Sequence, residues 1–272
     1  MELLEIKKHW ENWSETFKTE LQATTKTATI KKLEIASLAR ALEKIFYTSS
    51  DKLNILEVGC GNGYNCYALA ELFSHCNFTG VDYISGMIEN AKKNQIRNKN
   101  ANLDFLIGDA INLKENQNLK ENYDIVFTDR CIINLNTHEL QCKALDQMIH
   151  KLKSNGHLII LENFIQSHAK QNACRAMVGL SERKPSEFNV FLDTDSFLSY
   201  LNNSMELIHI DDFGSLHDIV LYVLVPLINE GKIDYDHELV KAATDLSIPL
   251  SKKYPNAFGD FGQNRLFLFR KK

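Results

Sequence analysis

The sequence predicts an α/β fold, a largely parallel sheet covered by helices on both faces. Two observations carry that prediction. A short apolar run, Leu53 to Val58, ends in a glycine-rich turn, Glu57-x-Gly59-x-Gly61-x-Gly63, and passes at once into a helix-like segment. From residue 53 onward, short apolar runs alternate with helix-like stretches, the mark of a parallel sheet buried on both sides.

Taken in order, Leu53–Val58 reads as the first strand and Tyr64–Phe73 as the helix after the turn. Asn77–Asp82 reads as a second strand, followed by a helix from Ser85 to about Lys99. Leu103–Ile107 and Tyr123–Thr128 are the third and fourth strands. The stretch Thr137–Leu152 carries Leu140, Ala144, Leu145, Met148, Ile149 and Leu152 at helical spacing. Asn155-Gly156 supplies a turn, and His157–Leu161 is the fifth strand. A helix over Gln166–Leu180 and another over Asp193–Leu201 lead to a sixth strand, Met205–Ile210. Arg265–Phe269 closes the chain as a seventh.

About fifty residues separate the last two strands, with helix-like segments near Leu216–Asn229 and Asp236–Leu246. All four prolines, Pro185, Pro226, Pro249 and Pro255, fall after residue 184, where the regular alternation ends. The predicted organisation is a helical lid over 1–50, a ligand-binding domain over 51–212 and 265–272, and an inserted substrate cap over 213–264. Trp10, Trp13 and Phe17 stand at helical intervals within the lid.

Composition narrows the function classes. The chain has 272 residues, 44% apolar and 24% charged, ordinary for a globular protein. A net charge of −4 gives no global basic field for nucleic acid or an anionic membrane. The longest apolar run, Ile219 to Ile228, contains Pro226 and is far short of the ~20 residues that cross a bilayer. None of the six cysteines forms a Cys-x-x-Cys pair and no histidine spacing accompanies them, so no metal site is expected. The N-terminus has no signal-peptide apolar core, and the expected location is the cytoplasm.

Glycines spaced by two let the backbone turn tightly and approach a ligand without Cβ atoms in the way. The dinucleotide fingerprint wants a further glycine three residues after the second, but position 64 is Tyr64. Glu57, two residues before the first glycine, suits a cationic ligand better than a pyrophosphate.

In these residues the chain resembles the class I S-adenosylmethionine-dependent methyltransferases, whose first motif reads acidic-x-Gly-x-Gly-x-Gly. Later pieces recur in order at later strand ends. Asp82 closes the second strand, Gly108-Asp109-Ala110 follows the third, and Thr128-Asp129-Arg130 ends the fourth. Leu152-Lys153-Ser154-Asn155-Gly156 matches the family's turn before the fifth strand, with Ser-Asn in place of Pro-Gly. The resemblance implies a Rossmann-like sheet of seven strands, the last antiparallel. It implies S-adenosyl-L-methionine as cofactor, S-adenosyl-L-homocysteine as product, and cofactor contacts from Glu57, Gly59, Gly61, Gly63, Asp82, Tyr83, Asp109, Ala110 and Asp129.

A narrower likeness concerns the acceptor. Glu162, Gln166, Asn172, Arg175 and Gly179-Leu180, with Arg130 and Asn134-Leu135 upstream, look like bacterial methyltransferases of surface-polysaccharide gene clusters. Phe213-Gly214-Ser215, Asp234-Tyr235-Asp236 and Phe258-Gly259 fit the same group. Where those relatives often carry His before Asn, this chain has Phe188-Asn189. The likeness implies O-methylation of a small, polar, anionic or sugar-linked acceptor in capsule biosynthesis, in some members a phosphoramidate. His168, Asn172 and Arg175 fall at i, i+4 and i+7 of one helix, and Arg offers a planar fork for an anion. Arg130 and Arg175 are therefore expected to bind the acceptor, with Glu162 and His168 as candidate bases. An RNA or other small-molecule methyltransferase, and a non-catalytic cofactor-binding scaffold, stand as alternatives.

Overall fold

A computed structural model describes residues 1–46, 52–98 and 102–272. Two helices open the chain, α1 (Leu3–Phe17) and α2 (Ala28–Phe46). The sheet domain follows: β1 (Asn54–Val58), α3 (Tyr64–Leu72), β2 (Asn77–Asp82), α4 (Ser85–Asn98), β3 (Leu103–Ile107) and β4 (Tyr123–Asp129). Next come α5 (His138–His150), β5 (Leu152–Asn163), α6 (Ile165–Met177), α7 (Thr194–Leu201) and β6 (Met205–Asp211). The insertion holds α8 (Ser215–Ile219), a π turn over Val220–Leu224, α9 (Val225–Ile228) and α10 (Glu238–Lys253), before β7 (Asn264–Lys271).

The seven strands form one sheet in the order β3-β2-β1-β4-β5-β7-β6. β1 to β5 pair in parallel, and β7 lies antiparallel to both β5 and β6. Strand order reverses between β1 and β4, and Val58 pairs with both Val81 and Thr128, so the carboxyl ends of β1, β2 and β4 open side by side. In open α/β sheets that crevice is where ligands bind.

Alternation along each strand builds a core on each face. Ile55, Ile125 and Phe127 face one apolar cluster with Leu33, Leu38 and Leu42 of α2 and Leu69 of α3. Leu56 and Val126 face the other, with Leu145 and Met148 of α5 and Phe197 and Leu201 of α7.

Three expectations need correction. The expected lid over 1–50 divides in two: α2 is core, while α1 packs on α4 through Trp10, Trp13 and Phe17 beside Ile84 and Met87. Its expected boundary falls at 47–51, outside the described residues, as does Lys99, the expected end of α4. The Asn155-Gly156 turn is absorbed into β5 as an irregularity: Tyr123 pairs with Leu152, then Ile125 with His157, and Asn155 takes φ 59°. Helix α6 stops at Met177 because Gly179, at φ 75°, lets the Leu180 N–H turn back to the Arg175 carbonyl (2.9 Å). The insertion has a small core of its own, with Val220, Leu221, Tyr222 and Val225 against Val240 and Ala243 of α10.

Candidate active site

The glycine turn is built by β2. Gly59 N–H and Cys60 N–H both donate to the Val81 carbonyl (2.8 and 2.9 Å), and Gly61 N–H donates to Asp82 Oδ2 (2.9 Å). Gly59, Gly61 and Gly63 have φ of 75°, 52° and 87°, which L side chains rarely adopt. A Cβ on Gly59 would fall 2.3 Å from Cys131 Sγ, and one on Gly61 would fall 2.3 Å from Thr24 Cγ2.

This turn floors a cavity of about 840 Å³ at the ends of β1, β2 and β4, roofed by α1, the loop after α6 and the insertion. Glu57, Gly59, Gly61, Asp82, Tyr83, Asp109, Ala110 and Asp129 line it. Gly63 does not. It starts α3 behind the turn, where a Cβ would strike Phe105 at 2.8 Å, so its reason is helix–strand packing.

The carboxylates differ in environment. Asp82 accepts from Gly61 N–H through Oδ2 and from Ile84 N–H through Oδ1 (2.9 Å each), and burial raises its carboxyl to about 6 against those donors. Glu57 is fully buried and accepts from Asn65 Nδ2 (2.7 Å) and Cys66 Sγ (2.9 Å). Burial lifts it to about 7. Asp109 is exposed and uses Oδ1 for the Ile111 N–H (3.1 Å).

Asp129 belongs to a buried charge network that the sequence did not disclose. Lys31 of α2 places Nζ 2.6 Å from Asp129 Oδ2 and 2.8 Å from Glu34 Oε2. Asn65 Nδ2 also donates to Asp129 Oδ2 (3.0 Å). Asp129 Oδ1 lies 3.6 Å from Arg130 Nε and accepts no hydrogen bond. Burial opposes both charges, but the Asp129 and Glu34 carboxylates hold the Lys31 ammonium above the usual lysine value. Lys31 and Arg130 likewise hold Asp129 below the usual carboxylate range against its burial.

Among the residues expected to meet the acceptor, Arg130 and His168 reach the cavity. Arg130 stands at φ 54° with its guanidinium on Glu34 (Nε to Oε1, 2.7 Å), so its charge is already matched. His168 Nε2 is buried on the cavity wall with no hydrogen-bond partner. Burial, then the charge of Arg183, lowers its pKa.

Glu162 and Arg175 are corrections. Glu162 is fully buried off the cavity, with Oε1 accepting from Cys131 N–H (2.9 Å) and Ile132 N–H (2.8 Å) and Oε2 from Ile133 N–H (3.4 Å). It organises the loop after β4 and reaches no acceptor. Arg175 donates Nε to the Ser181 carbonyl (2.7 Å) and Nη1 to the Tyr222 carbonyl, tying α6 to the insertion. Asn172 is likewise occupied, by the Arg183 backbone (2.9 and 3.0 Å).

The second guanidinium at the cavity, besides Arg130, is that of Arg183, in the loop after α6. It lies 3.3 Å over the Tyr222 ring and donates to the neutral Gln171 Oε1 (2.5 Å) and Gln263 Oε1 (3.2 Å). No carboxylate among the described residues forms an ion pair with it. At the mouth, His9 stacks between Trp13 and Phe188 (4.6 and 4.4 Å between ring centres).

Seven strands in this order, with a glycine turn and an acidic residue at the end of β2 facing the switch point, define a class I S-adenosylmethionine-dependent methyltransferase. Residues 49–192 match the family described as the methyltransferase domain, and the chain belongs to that family. It is similar to the malonyl-[acyl-carrier protein] O-methyltransferase of Bacillus anthracis, 29% identical over 132 residues, covering 48% of this chain and 45% of that protein. The protein of the same description from Priestia megaterium is 27% identical over 154 residues, covering 57% and 49%. The matched stretch thus spans about half the length of these curated relatives. In fold, the chain is similar to the plantazolicin methyltransferase BamL, solved with a triazolic desmethylPZN analogue and S-adenosylhomocysteine (TM-score 0.56, 17% identity, 100% of this chain and 99% of that one). It is also similar to the N-methyltransferase NodS of Bradyrhizobium japonicum WM9, solved with S-adenosylhomocysteine (TM-score 0.55, 13% identity, 98% of each).

The donor set fits the cofactor. Asp82 and Asp109 line the cavity, each Asp82 oxygen accepts one N–H and so retains capacity for a ribose hydroxyl, and Asp109 has its Oδ2 for an amine. The unpartnered Asp129 Oδ1 and the buried Glu57 suit the ammonium of the amino-acid end, while Lys31 is taken up by Asp129, Glu34 and Asn65 Oδ1 (3.2 Å).

No described helix is long and apolar enough to cross a membrane.

Proposed function

We propose that this methyltransferase acts on an oxygen of a small, polar, anionic acceptor, seated in the half of the cavity bounded by Arg183, His168 and the insertion. One observation carries the reading: Arg183 brings a guanidinium to the cavity wall with neutral hydrogen-bond partners only. A half-buried cation without a counter-ion favours a ligand that supplies one, and its planar fork suits phosphate or carboxylate. The cofactor half has more carboxylates than cations, with Glu57, Asp82 and Asp129 around the glycine turn against Lys31 and Arg130. The two ligands would thus be sorted by charge.

When bound, S-adenosylmethionine supplies a methyl group on a cationic sulfur. The residues of this chain then position and exclude water. Asp82 would hold the ribose, Asp109 and Ala110 the adenine edge, and Glu57 and Asp129 the amino-acid end, with Lys31 fixing Asp129. Trp10, Trp13, His9 and Phe188 would cover the mouth. His168, kept neutral by burial and by Arg183, would hydrogen-bond the acceptor.

The likeness around Arg130, Asn134-Leu135 and Phe213-Gly214-Ser215 supports a saccharide-linked acceptor of the kind assembled into surface polysaccharide, phosphoramidates included. The names of the curated relatives favour a second reading, a carboxylate of an acyl thioester. Mass spectrometry after incubation with S-adenosylmethionine tests both, using nucleotide sugars, sugar phosphoramidates and malonyl thioesters. Methylation of anionic acceptors, lost in Arg183→Met, is the expected result. Equal turnover of neutral counterparts would overturn the role of Arg183.

A further inference from the structure

His217 and Asp218, on the insertion, form a buried imidazole–carboxylate pair. His217 is 1% exposed yet lines the cavity, and its Nδ1 lies 2.9 Å from Asp218 Oδ1. Asp218 Oδ2 accepts from Gln171 Nε2 (2.8 Å) and from the Gln263 N–H (2.9 Å). A carboxylate receiving those two donors is fixed as an acceptor, which assigns the imidazole proton to Nδ1 and leaves Nε2 the basic nitrogen. The nearest polar partner of Nε2 is Thr29 Oγ1 at 3.4 Å, a long contact, and Thr29 Oγ1 is itself 2.7 Å from Thr27 Oγ1.

The pair does not stand apart from the anion-binding arginine. Arg183 Nη1 donates to Gln171 Oε1 while Gln171 Nε2 donates to Asp218. Arg183, Gln171, Asp218 and His217 therefore form one continuous hydrogen-bonded chain through α6, the loop after it and the insertion. Both ends, Arg183 and His217, lie on the cavity wall. His168 offers the contrast: no carboxylate is hydrogen-bonded to its ring, and burial with the charge of Arg183 outweighs the opposing charge of Glu182.

Resting on the methyl-transfer reading above, we propose that His217, oriented by Asp218, accepts the proton of a hydroxyl acceptor whose anionic group is seated on Arg183. Gln171 couples the two. The acceptor oxygen–methyl bond forms as the methyl–sulfur bond breaks, with the electron pair returning to sulfur. The hydroxyl proton passes to His217 Nε2, leaving an imidazolium against Asp218. This makes the substrate class a hydroxyl compound carrying phosphate or carboxylate; a carboxylate acceptor would leave the pair without a proton to take.

The test uses the full chain and two kinds of readout. Imidazole nitrogen–proton spectra would be recorded with inorganic phosphate in one arm and acetate in the other, His217→Gln identifying the signal. The expected result is an Nδ1-protonated neutral ring whose signal shifts with one or both anions, and no shift in Arg183→Met; the arm that responds names the anion. His217→Gln and, independently, Asp218→Asn are expected to lower kcat on a responding hydroxyl acceptor roughly 100-fold with S-adenosylhomocysteine affinity unchanged by calorimetry. His168→Gln should raise KM instead. A His217 signal that ignores both anions, or shifts equally in Arg183→Met, overturns the coupling. Unchanged kcat in His217→Gln overturns the base. Failure of the wild type to bind S-adenosylhomocysteine would instead sink the methyltransferase reading.

Discussion

Lys31 Nζ lies 2.6 Å from Asp129 Oδ2, joining helix α2 to the tip of β4 across 98 positions of sequence. The same ammonium holds Glu34, which in turn takes the Arg130 guanidinium and an N–H of Asn264. Two cations and two carboxylates thus share one buried cluster beneath the cavity. Assembling such a cluster rarely adds net stability, but removing one member strands its partners in low dielectric. Lys31→Met is therefore expected to cost about 3–5 kcal/mol of unfolding free energy and to weaken S-adenosylhomocysteine binding. Urea unfolding and calorimetry check both; a loss under about 1 kcal/mol would show that Asp129 and Glu34 are hydrated in the free protein.

Cofactor affinity should depend on pH through two carboxyls. Burial raises Asp82 to about 6 and Glu57 to about 7, so each takes up a proton in the free protein as pH falls through those values. The bound state needs both ionised, one to accept ribose hydroxyls and one to face an ammonium. Affinity for S-adenosylhomocysteine is then flat above about pH 8, falls below 7, and steepens below 6 toward roughly tenfold per unit for each group. Stability of the free fold has the opposite sign. A carboxyl held above its unfolded value favours folding below that value, and its contribution is lost as pH rises through the folded value. Asp82→Asn should remove the lower step from both curves and leave the Glu57 step. An unchanged affinity profile in that variant would be fatal to the ribose assignment.

Arginines eight residues apart should respond differently. Arg175→Ala leaves the carbonyls of Ser181 and Tyr222 without their donor and is expected to lose about 1–3 kcal/mol of stability, with acceptor KM unchanged. Arg183→Met gives up donors to two neutral amides and a contact with Tyr222, so its main effect should be on acceptor KM. The reverse pattern would return the anion to Arg175.

What the sequence disclosed follows from range. The strands were legible because each is a local apolar run, and the place of Asp82, Asp109 and Asp129 on the cavity wall because each stands at or just after a strand end. Lys31 and Glu34 were not, since a Lys and a Glu three apart on a helix read as a solvated pair until tertiary packing buries them. Arg175 misled because helical spacing put it on a face with His168, while the carbonyls that claim it come from the irregular loop just after α6 and from the insertion. Arg183 sits in a stretch without period, and its exposure to the cavity is set by Tyr222 and Gln171. His217 and Asp218 are adjacent in sequence, but adjacency by itself does not imply that two side chains share a face.

The last prediction concerns the seam between the N-terminal segment and the glycine turn. Gly61 has φ 52° and its missing Cβ faces Thr24 Cγ2, which would stand 2.3 Å away. Gly61→Ala thus meets two separate penalties: about 1 kcal/mol or more for the left-handed backbone, and a steric one that Thr24 can relieve only by moving off the turn. Thr24→Ser deletes that methyl and leaves the hydroxyl, whose one contact is a long bond to the Leu21 carbonyl (3.5 Å). The double variant should therefore be more stable than Gly61→Ala alone, with a coupling of about 1–3 kcal/mol by urea unfolding, and should regain part of the lost S-adenosylhomocysteine affinity. Strict additivity would mean that the turn and the segment before α2 are not in contact in solution, and that Gly61 is required by its backbone angle only.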